Sequence, residues 1–434
     1  MVKEQIIYGE EIEYQCPKPS PDAVFAIPGT IPCGNPGVWA IDEGLLSRHM
    51  LMLGAIGSGK SNAIYHMIRR LRSTMTSDDV MFIFDTKGDY YQQFYQKGDI
   101  VISNDERATN GEHPDYWNLF REITIDDRHL ENTVEIVKAI FAEKLEKTSQ
   151  PFFPNAAKDL LRALIMFIIR NEQQFPGGGD NAMLLDALQT AEPRAFVSLL
   201  KAFKDTQAMV PYIEDPTSGQ TQGVMSELQQ GTTDVLIGNF AKKGTLSMRE
   251  LVRRKGGKVV FIEYDLSIGS VLGPIYQLLF DLAIKEALSR RTGEGNVYFI
   301  IDEFRLLPRL VHIDDGVNFG RSLGAKFIIG VQNVEQVFHV YGEERARSML
   351  SGFSTTVSFR LNDYKSREFV KNLAGMNGRI TSYESGNKTK GVVEQYRDTT
   401  VIQDYDVNSL QIGEALILRN GAAPFRFRFR EYDK

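Results

Sequence analysis

Eight residues constrain the folding of this 434-residue chain more than any others. Residues 54–61 read GAIGSGKS, which satisfies G-x-x-x-x-G-K-[ST] without a mismatch. An apolar run, HMLMLG, leads into them. After them, Ile64, Met67, Ile68 and Leu71 recur at i, i+3, i+4, i+7, the period of an amphipathic helix. A strand, a glycine-rich turn and a helix in that order make a phosphate loop. The glycines let backbone N–H groups turn inward around phosphate oxygens, and the helix N-terminus adds positive potential. Gly54, Ala55, Ile56, Gly57, Ser58, Gly59, Lys60, Ser61 and Asn62 are therefore expected to cradle a nucleotide. Lys60 would reach the β- and γ-phosphates of ATP, and the Ser61 hydroxyl would ligate Mg2+. A glycine-rich turn that binds nothing is the bland alternative, and the flanking strand and helix argue against it.

Composition narrows the setting. Apolar residues make up 42% and charged residues 24% of the chain, as in an ordinary soluble globular protein. No segment approaches the roughly 18–20 uninterrupted apolar residues of a membrane span. The longest candidate, 160–169, is short and interrupted by Arg162. The N-terminus lacks the charged-then-apolar layout of a signal peptide. Two cysteines, Cys16 and Cys33, suggest a reducing compartment, and without a Cys/His cluster a structural zinc is not expected. The net charge of −6 argues against coating nucleic acid by bulk charge. It does not exclude a local basic surface, for which 68–72 and 242–258 are candidates; each taken singly reads more simply as a solvated face.

Strands and helices alternate from about 45 to 120. From 128 to 245 the character becomes helical, with Val134, Val137 and Phe141 and then Leu160, Leu161, Leu164, Ile165 and Ile168 at helical spacing. Within that region 175–180, FPGGGD, reads as a surface loop. Alternation then resumes. Ser247 to Glu250 fit a capping box. KVVFIEY, VYFIIDEF, AKFIIGVQ and TTVSFR read as strands, and 414–431 reads as a hairpin with Phe425, Phe427 and Phe429 on one face. Buried continuous strands separated by helices imply an α/β fold with a mainly parallel central sheet. The expected division is 1–127 and 246–434 as two parts of one nucleotide-binding domain, with 128–245 as a large all-α insertion.

VYFIIDEF supplies carboxylates. An apolar strand ending in Asp302 and Glu303 would place Asp302 to hold the metal and its water shell, and Glu303 to polarise an attacking water as general base. Strands often end in acids, so the pair gains weight only from the phosphate loop upstream. The stretch 318–333, NFGRSLGAKFIIGVQN, brackets a buried strand with Arg321 before it and Gln332 after it. If this strand lies beside the phosphate-loop strand, Gln332 faces the γ-phosphate and can sense hydrolysis. Arg321 then stands at the opposite end, suited to a neighbouring subunit's nucleotide as an arginine finger. Surface decoration of a strand is the plain alternative, with Arg321 in a local salt bridge. Asp85 and Lys87, in FIFDTKGDYY, follow another strand and are expected to line the same cleft.

GAIGSGKS, FDTKGD, IIDEFRLLPRL, GRSLGAKFIIGVQNVEQVFHVYG and VNSLQIGEALIL occur in this order. The set resembles the type IV secretion coupling proteins, the TraG/TraD-type ATPases of conjugation, within the FtsK/HerA group of motors. The likeness runs from about Ser47 to the C-terminus, and YWNLFREI and SMREL look like the family's segments flanking its all-α domain. The resemblance implies a RecA-like P-loop NTPase, working as a homo-hexameric ring that hydrolyses ATP with Mg2+. It implies movement of DNA, expected to be single-stranded, with an attached relaxase or other secreted protein, towards a type IV secretion channel. By the same resemblance Lys60 and Ser61 bind nucleotide and metal, Asp302 and Glu303 are the Walker B pair, Gln332 is the sensor and Arg321 the trans-acting arginine. Thr86 replaces the family's usual proline. The family's N-terminal membrane pair has no counterpart, so the expectation is a cytoplasmic chain that meets the inner membrane through a missing segment or a partner. A HerA- or FtsK-type double-strand translocase and an ATP-controlled docking adaptor are the other readings.

Overall fold

The computed structural model describes residues 3–104, 115–171, 173–175, 178–269, 271–307, 309–384 and 392–433. The chain forms two compact units. The first takes Met1–Thr76, Arg291–Arg305 and Asp314–Lys434, the second Ser77–Arg290 and Leu306–Ile313. The first strands are β1 (Lys3–Tyr8), β2 (Ala23–Thr30), β3 (Pro36–Asp42), β4 (Met50–Leu53), β5 (Val80–Asp85), β6 (Ile100–Ile102) and β7 (Lys258–Glu263). They are followed by β8 (Val297–Ile301), β9 (Ala325–Val331), β10 (Thr355–Ser358), β11 (Met376–Glu384), β12 (Val392–Thr400), β13 (Glu414–Arg419) and β14 (Ala422–Phe429).

The main strands of the first unit run in the order β3-β2-β14-β13-β10-β4-β9-β8. The neighbours β10, β4, β9 and β8 are parallel. Every residue of β4, β8 and β9 is buried, so these strands are covered on both faces, as parallel strands must be. From β10 outwards the pairing turns antiparallel, and burial alternates along β2 and over the last residues of β14. Phe425, Phe427 and Phe429 are buried while Arg426 and Arg428 between them are not. All three rings meet the edge of Trp39 at centroid distances of 6.3, 6.5 and 6.2 Å. The hairpin expected at 414–431 is β13–β14. A separate antiparallel sheet, β1-β11-β12, was not foreseen. Its strands are polar and half-exposed, so they carry little of the apolar periodicity that marks a strand in sequence.

The second unit holds β5, β7 and β6, paired in parallel in that order. Between 128 and 245 every described element is a helix or a short 3-10 turn. Helix Phe152–Arg170 buries Ala156, Ala157, Leu160, Leu161, Leu164, Ile165 and Ile168, one stripe at helical spacing. It packs against helices His129–Lys147 and Gly219–Thr233. Two glycines of the latter permit close approach: a Cβ on Gly223 would stand 2.7 Å from the Phe153 ring, and one on Gly231 2.5 Å from Phe141. Of the loop expected at 175–180, positions 176 and 177 lie outside the described residues. No helix among the described residues is long and apolar enough to cross a membrane.

The two ends of this helical stretch are fastened together. Asn118 N–H donates to the Leu246 carbonyl at 2.9 Å and Leu246 N–H to the Tyr116 carbonyl at 3.0 Å. Buried Glu122 accepts from Trp117 Nε1 and Ser247 Oγ, each at 2.8 Å, and from the Met248 and Arg249 backbone N–H groups. Arg249 then bridges Asp126 at 2.6 Å and Glu286 at 2.8 Å. Ser247 caps its helix by accepting from Glu250 N–H. Only half of the expected capping box forms in this way, because the Glu250 carboxylate pairs with Arg254 at 2.5 Å.

Candidate nucleotide site

The phosphate loop leaves β4 between two strands that hold its first residues. Gly54 N–H donates to the Val331 carbonyl of β9 at 3.1 Å, and Ala55 N–H to the Arg360 carbonyl beyond β10 at 2.9 Å. Gly57 at φ 71° and Gly59 at φ 109° adopt left-handed backbone that an L side chain resists. The chain therefore turns tightly into helix Lys60–Thr74. Ile56, 79% exposed, forms the tip. The Lys60 ammonium lies buried inside the loop and donates to the Gly54 carbonyl at 2.5 Å. Ser58 Oγ is buried and has no hydrogen-bond partner among the described residues.

Two side-chain pairs stand at the same ends of these strands. Ser61 Oγ donates to Asp302 Oδ2 at 2.6 Å. Gln332 Nε2 donates to Glu303 Oε2 at 2.7 Å, and Arg305 Nε lies 3.4 Å from the other Glu303 oxygen. The structure thus brings together Lys60, Ser61, Asp302, Glu303 and Gln332, from the loop and the ends of β8 and β9. The strand order explains it, because β9 lies directly between β4 and β8. A hydroxyl and a carboxylate converging at 2.6 Å are hard oxygen donors of the kind Mg2+ takes. A backbone cradle closed by positive-φ glycines around a buried ammonium fits phosphate oxygens.

The other four residues of the sequence set are Arg321, Asn62, Asp85 and Lys87. Arg321 sits in the exposed 3-10 turn Gly320–Leu323, at the start of β9, with Gln332 just past its end. Asn62 directs its side chain to the C-terminal tail, donating to the Arg430 carbonyl and accepting from Tyr432 N–H, each at 2.8 Å. Its backbone N–H in the first helical turn is what it has left to offer a phosphate. Asp85 and Lys87 belong to the second unit. There the Asp85 carboxylate accepts from Tyr91 N–H at 2.8 Å and Lys87 N–H at 3.3 Å. Burial pushes its pKa up against those bonds, while the Lys87 side chain is exposed.

Sequence reasoning missed the glycines that let the pieces close. A Cβ on Gly59 would stand 2.7 Å from the backbone of Gly413, whose N–H donates to the Ser58 carbonyl at 2.9 Å. The VNSLQIGEALIL stretch is thereby packed against the phosphate loop. A Cβ on Gly330 would stand 2.1 Å from the Asp302 carbonyl. A glycine inside a strand run was the available signal for such a close approach.

Comparison with known proteins agrees with this geometry. TraD, the coupling protein of Escherichia coli strain K12, is 20% identical over 347 residues, 78% of this chain and 45% of TraD. The type IV secretion system-coupling protein VirD4 of Bartonella henselae is 22% identical over 318 residues, 68% of this chain and 48% of VirD4. The chain thus spans about half the length of these curated relatives. Among solved structures, the conjugative coupling protein TrwBdeltaN70 superposes with a TM-score of 0.70 at 19% identity, over 91% of this chain and 87% of that one. TrwB in complex with ADP and Mg2+ gives 0.69 at 17% identity, over 100% and 96%. VirB4 of Thermoanaerobacter pseudethanolicus gives 0.55 at 14% identity, over 97% and 99%. The fold is that of the RecA-like P-loop NTPases. The family profile for the type IV secretion-system coupling protein DNA-binding domain matches residues 35–410, and the chain belongs to that family.

Proposed function

We propose that this chain is an ATP-driven motor that moves DNA, in its single-stranded form and with an attached protein such as a relaxase, towards a type IV secretion channel. One observation carries the reading: Ser61 with Asp302 at 2.6 Å and Gln332 with Glu303 at 2.7 Å stand side by side at the ends of three adjacent parallel strands. Nucleotide binding alone needs only the loop. A carboxylate past the metal-side aspartate, held by an amide on the next strand, is the equipment of hydrolysis.

In this reading Lys60 clamps the β- and γ-phosphates of ATP, and Ser61 and Asp302 hold Mg2+. Bound Mg2+ supplies charge that neutralises the phosphates. Glu303 takes the proton of the attacking water. Gln332 orients Glu303 and reports on the γ-phosphate. Arg321, separated from Gln332 by the seven residues of β9, or about 23 Å at 3.3 Å each, serves a neighbouring subunit's nucleotide. That assignment makes the working form a ring, with a homo-hexamer as the expected state and 128–245 as its all-α domain. The motor works at the cytoplasmic face of the inner membrane, reaching the channel through a partner or a further segment.

The test is the ATPase rate without DNA, with single-stranded DNA and with duplex DNA, alongside oligomer mass. Stimulation by single strands together with a hexameric mass supports the proposal. Stimulation by duplex alone points to a double-strand translocase. Tight ATP binding with no turnover under any condition points to a docking adaptor.

A further inference from the structure

Gln332 sits on a short bridge whose two ends are both pinned. Upstream, the Val331 carbonyl at the end of β9 accepts the Gly54 N–H of the phosphate loop at 3.1 Å. Downstream, helix Val334–Tyr341 begins, and the Val334 N–H donates to Ser366 Oγ at 2.9 Å. Ser366 is fully buried and Val334 is 1% exposed, so water does not compete for this bond. The first N–H groups of a helix have no partner within it. Asn333 caps this helix, but its side chain accepts from the Gln336 N–H at 3.0 Å. Ser366 serves Val334 from a separate element.

That element is helix Tyr364–Ala374, which follows β10. Its cap, Asp363, accepts from the Ser366 N–H at 2.8 Å and so holds the serine at a set place in the first turn. Earlier in the same segment, the Arg360 carbonyl accepts the Ala55 N–H of the phosphate loop at 2.9 Å. The segment 360–366 thus grips the phosphate loop at one end and the root of Gln332 at the other. We infer that Ser366 is a positioning residue for hydrolysis: by holding the Val334 N–H it fixes the turn that aims the Gln332 amide at Glu303. Without the hydroxyl, that turn is held at its β9 end alone. This rests on the reading of Gln332 as the sensor.

Ser366→Ala removes the acceptor and leaves the phosphate loop intact. The expected result is a kcat lower by about 10- to 10²-fold, the size of a reacting group displaced from afar, with KM for ATP nearly unchanged. Ser366→Thr keeps the hydroxyl and should recover most of the rate. If Ser366→Ala does not fold, Ser366→Cys takes its place, since a thiol is close in shape and a much weaker acceptor.

The deciding measurement is a double-mutant cycle with Gln332→Ala. A serine that acts through Gln332 has nothing left to position once the amide is gone. The double variant should therefore turn over at the rate of Gln332→Ala alone. Losses that multiply would overturn the proposal, because the serine would then support the fold at large. A raised KM with kcat retained would overturn it too, by showing that the segment acts on nucleotide binding through Arg360. An unchanged kcat in Ser366→Ala beside a slow Gln332→Ala would remove the role of Ser366 and leave the sensor reading standing. An unchanged kcat in Gln332→Ala itself would remove the sensor reading, and the role given to Ser366 falls with it.

Discussion

Gln332 Nε2 donates to Glu303 Oε2 over 2.7 Å, which joins the residue after β9 to the residue pair after β8. An amide in this position holds the carboxylate in one rotamer while leaving its charge in place. Glu303→Gln removes the base and keeps the shape. It is expected to bind Mg-ATP with near-normal affinity and to hydrolyse it about 10²- to 10⁴-fold more slowly. Single-turnover hydrolysis and nucleotide titration of the purified variant check both halves. Loss of binding would mean that Glu303 is a metal ligand instead.

Lys60→Ala should abolish ATP hydrolysis. The ammonium lies inside the loop at 2.5 Å from the Gly54 carbonyl, so its removal takes away the charge that clamps the phosphates. The variant should fold, since the turn itself is set by the left-handed glycines Gly57 and Gly59. Wild-type turnover in a preparation with a normal circular dichroism spectrum would remove Lys60 from the site.

Gly413 should matter to nucleotide binding without touching the nucleotide. It sits at φ 77°, and its backbone lies 2.7 Å from where a Gly59 Cβ would be. Gly413→Val introduces left-handed strain of about 1–2 kcal/mol at a place where relaxation displaces the phosphate loop. Mg-ATP affinity should fall by about tenfold. Gly421→Val is the matching control, with φ 74° and nothing within 4 Å of its Cβ position. It carries similar backbone strain and should leave affinity alone. Equal affinity losses in both variants would reduce the effect to general destabilisation.

Asp281 predicts a pH dependence of stability. Burial pushes its carboxyl up to about 6, against the N–H groups of Val311 and His312 that it accepts at 3.0 Å each. A folded-state value above the unfolded one, near 3.9, means that the folded state holds the proton more tightly. Its contribution is complete below the unfolded value and is lost as pH rises through 6. The loss is on the order of 2 kcal/mol between pH 4 and pH 6.5. His312, raised mainly by its hydrogen bond to Glu135, adds a loss in the same direction as it deprotonates. Depressed carboxylates such as Asp126, at about 2, act oppositely below pH 4, so the informative quantity is wild type minus Asp281→Asn. That difference in urea-unfolding free energy should fall with rising pH across this window. A flat difference would mean that Asp281 is ionised throughout.

Much of this protein follows from local order along the chain. GAIGSGKS between an apolar strand and an amphipathic helix specifies a phosphate loop, because backbone geometry and glycine placement are local properties. VYFII and AKFIIGV, buried at every position, could be assigned to a two-sided parallel sheet from composition alone. The helical character of 128–245 was legible for the same reason, in the spacing of its apolar residues. What the sequence could not decide is which distant pieces meet. Gly330 reads as a flaw in a strand until the Asp302 carbonyl lies where its Cβ would be. Gly413 stands more than 350 residues from Gly59, and only folding brings their backbones together. Asn62 reads as part of the phosphate loop, yet its side chain is committed to Arg430 and Tyr432. Trp117, Ser247, Met248 and Arg249 converge on Glu122 only in the folded chain. Periodicity records which face of an element is buried but not the partner that buries it. Partner choice, close approach and buried hydrogen bonding are settled by the packing of the whole chain.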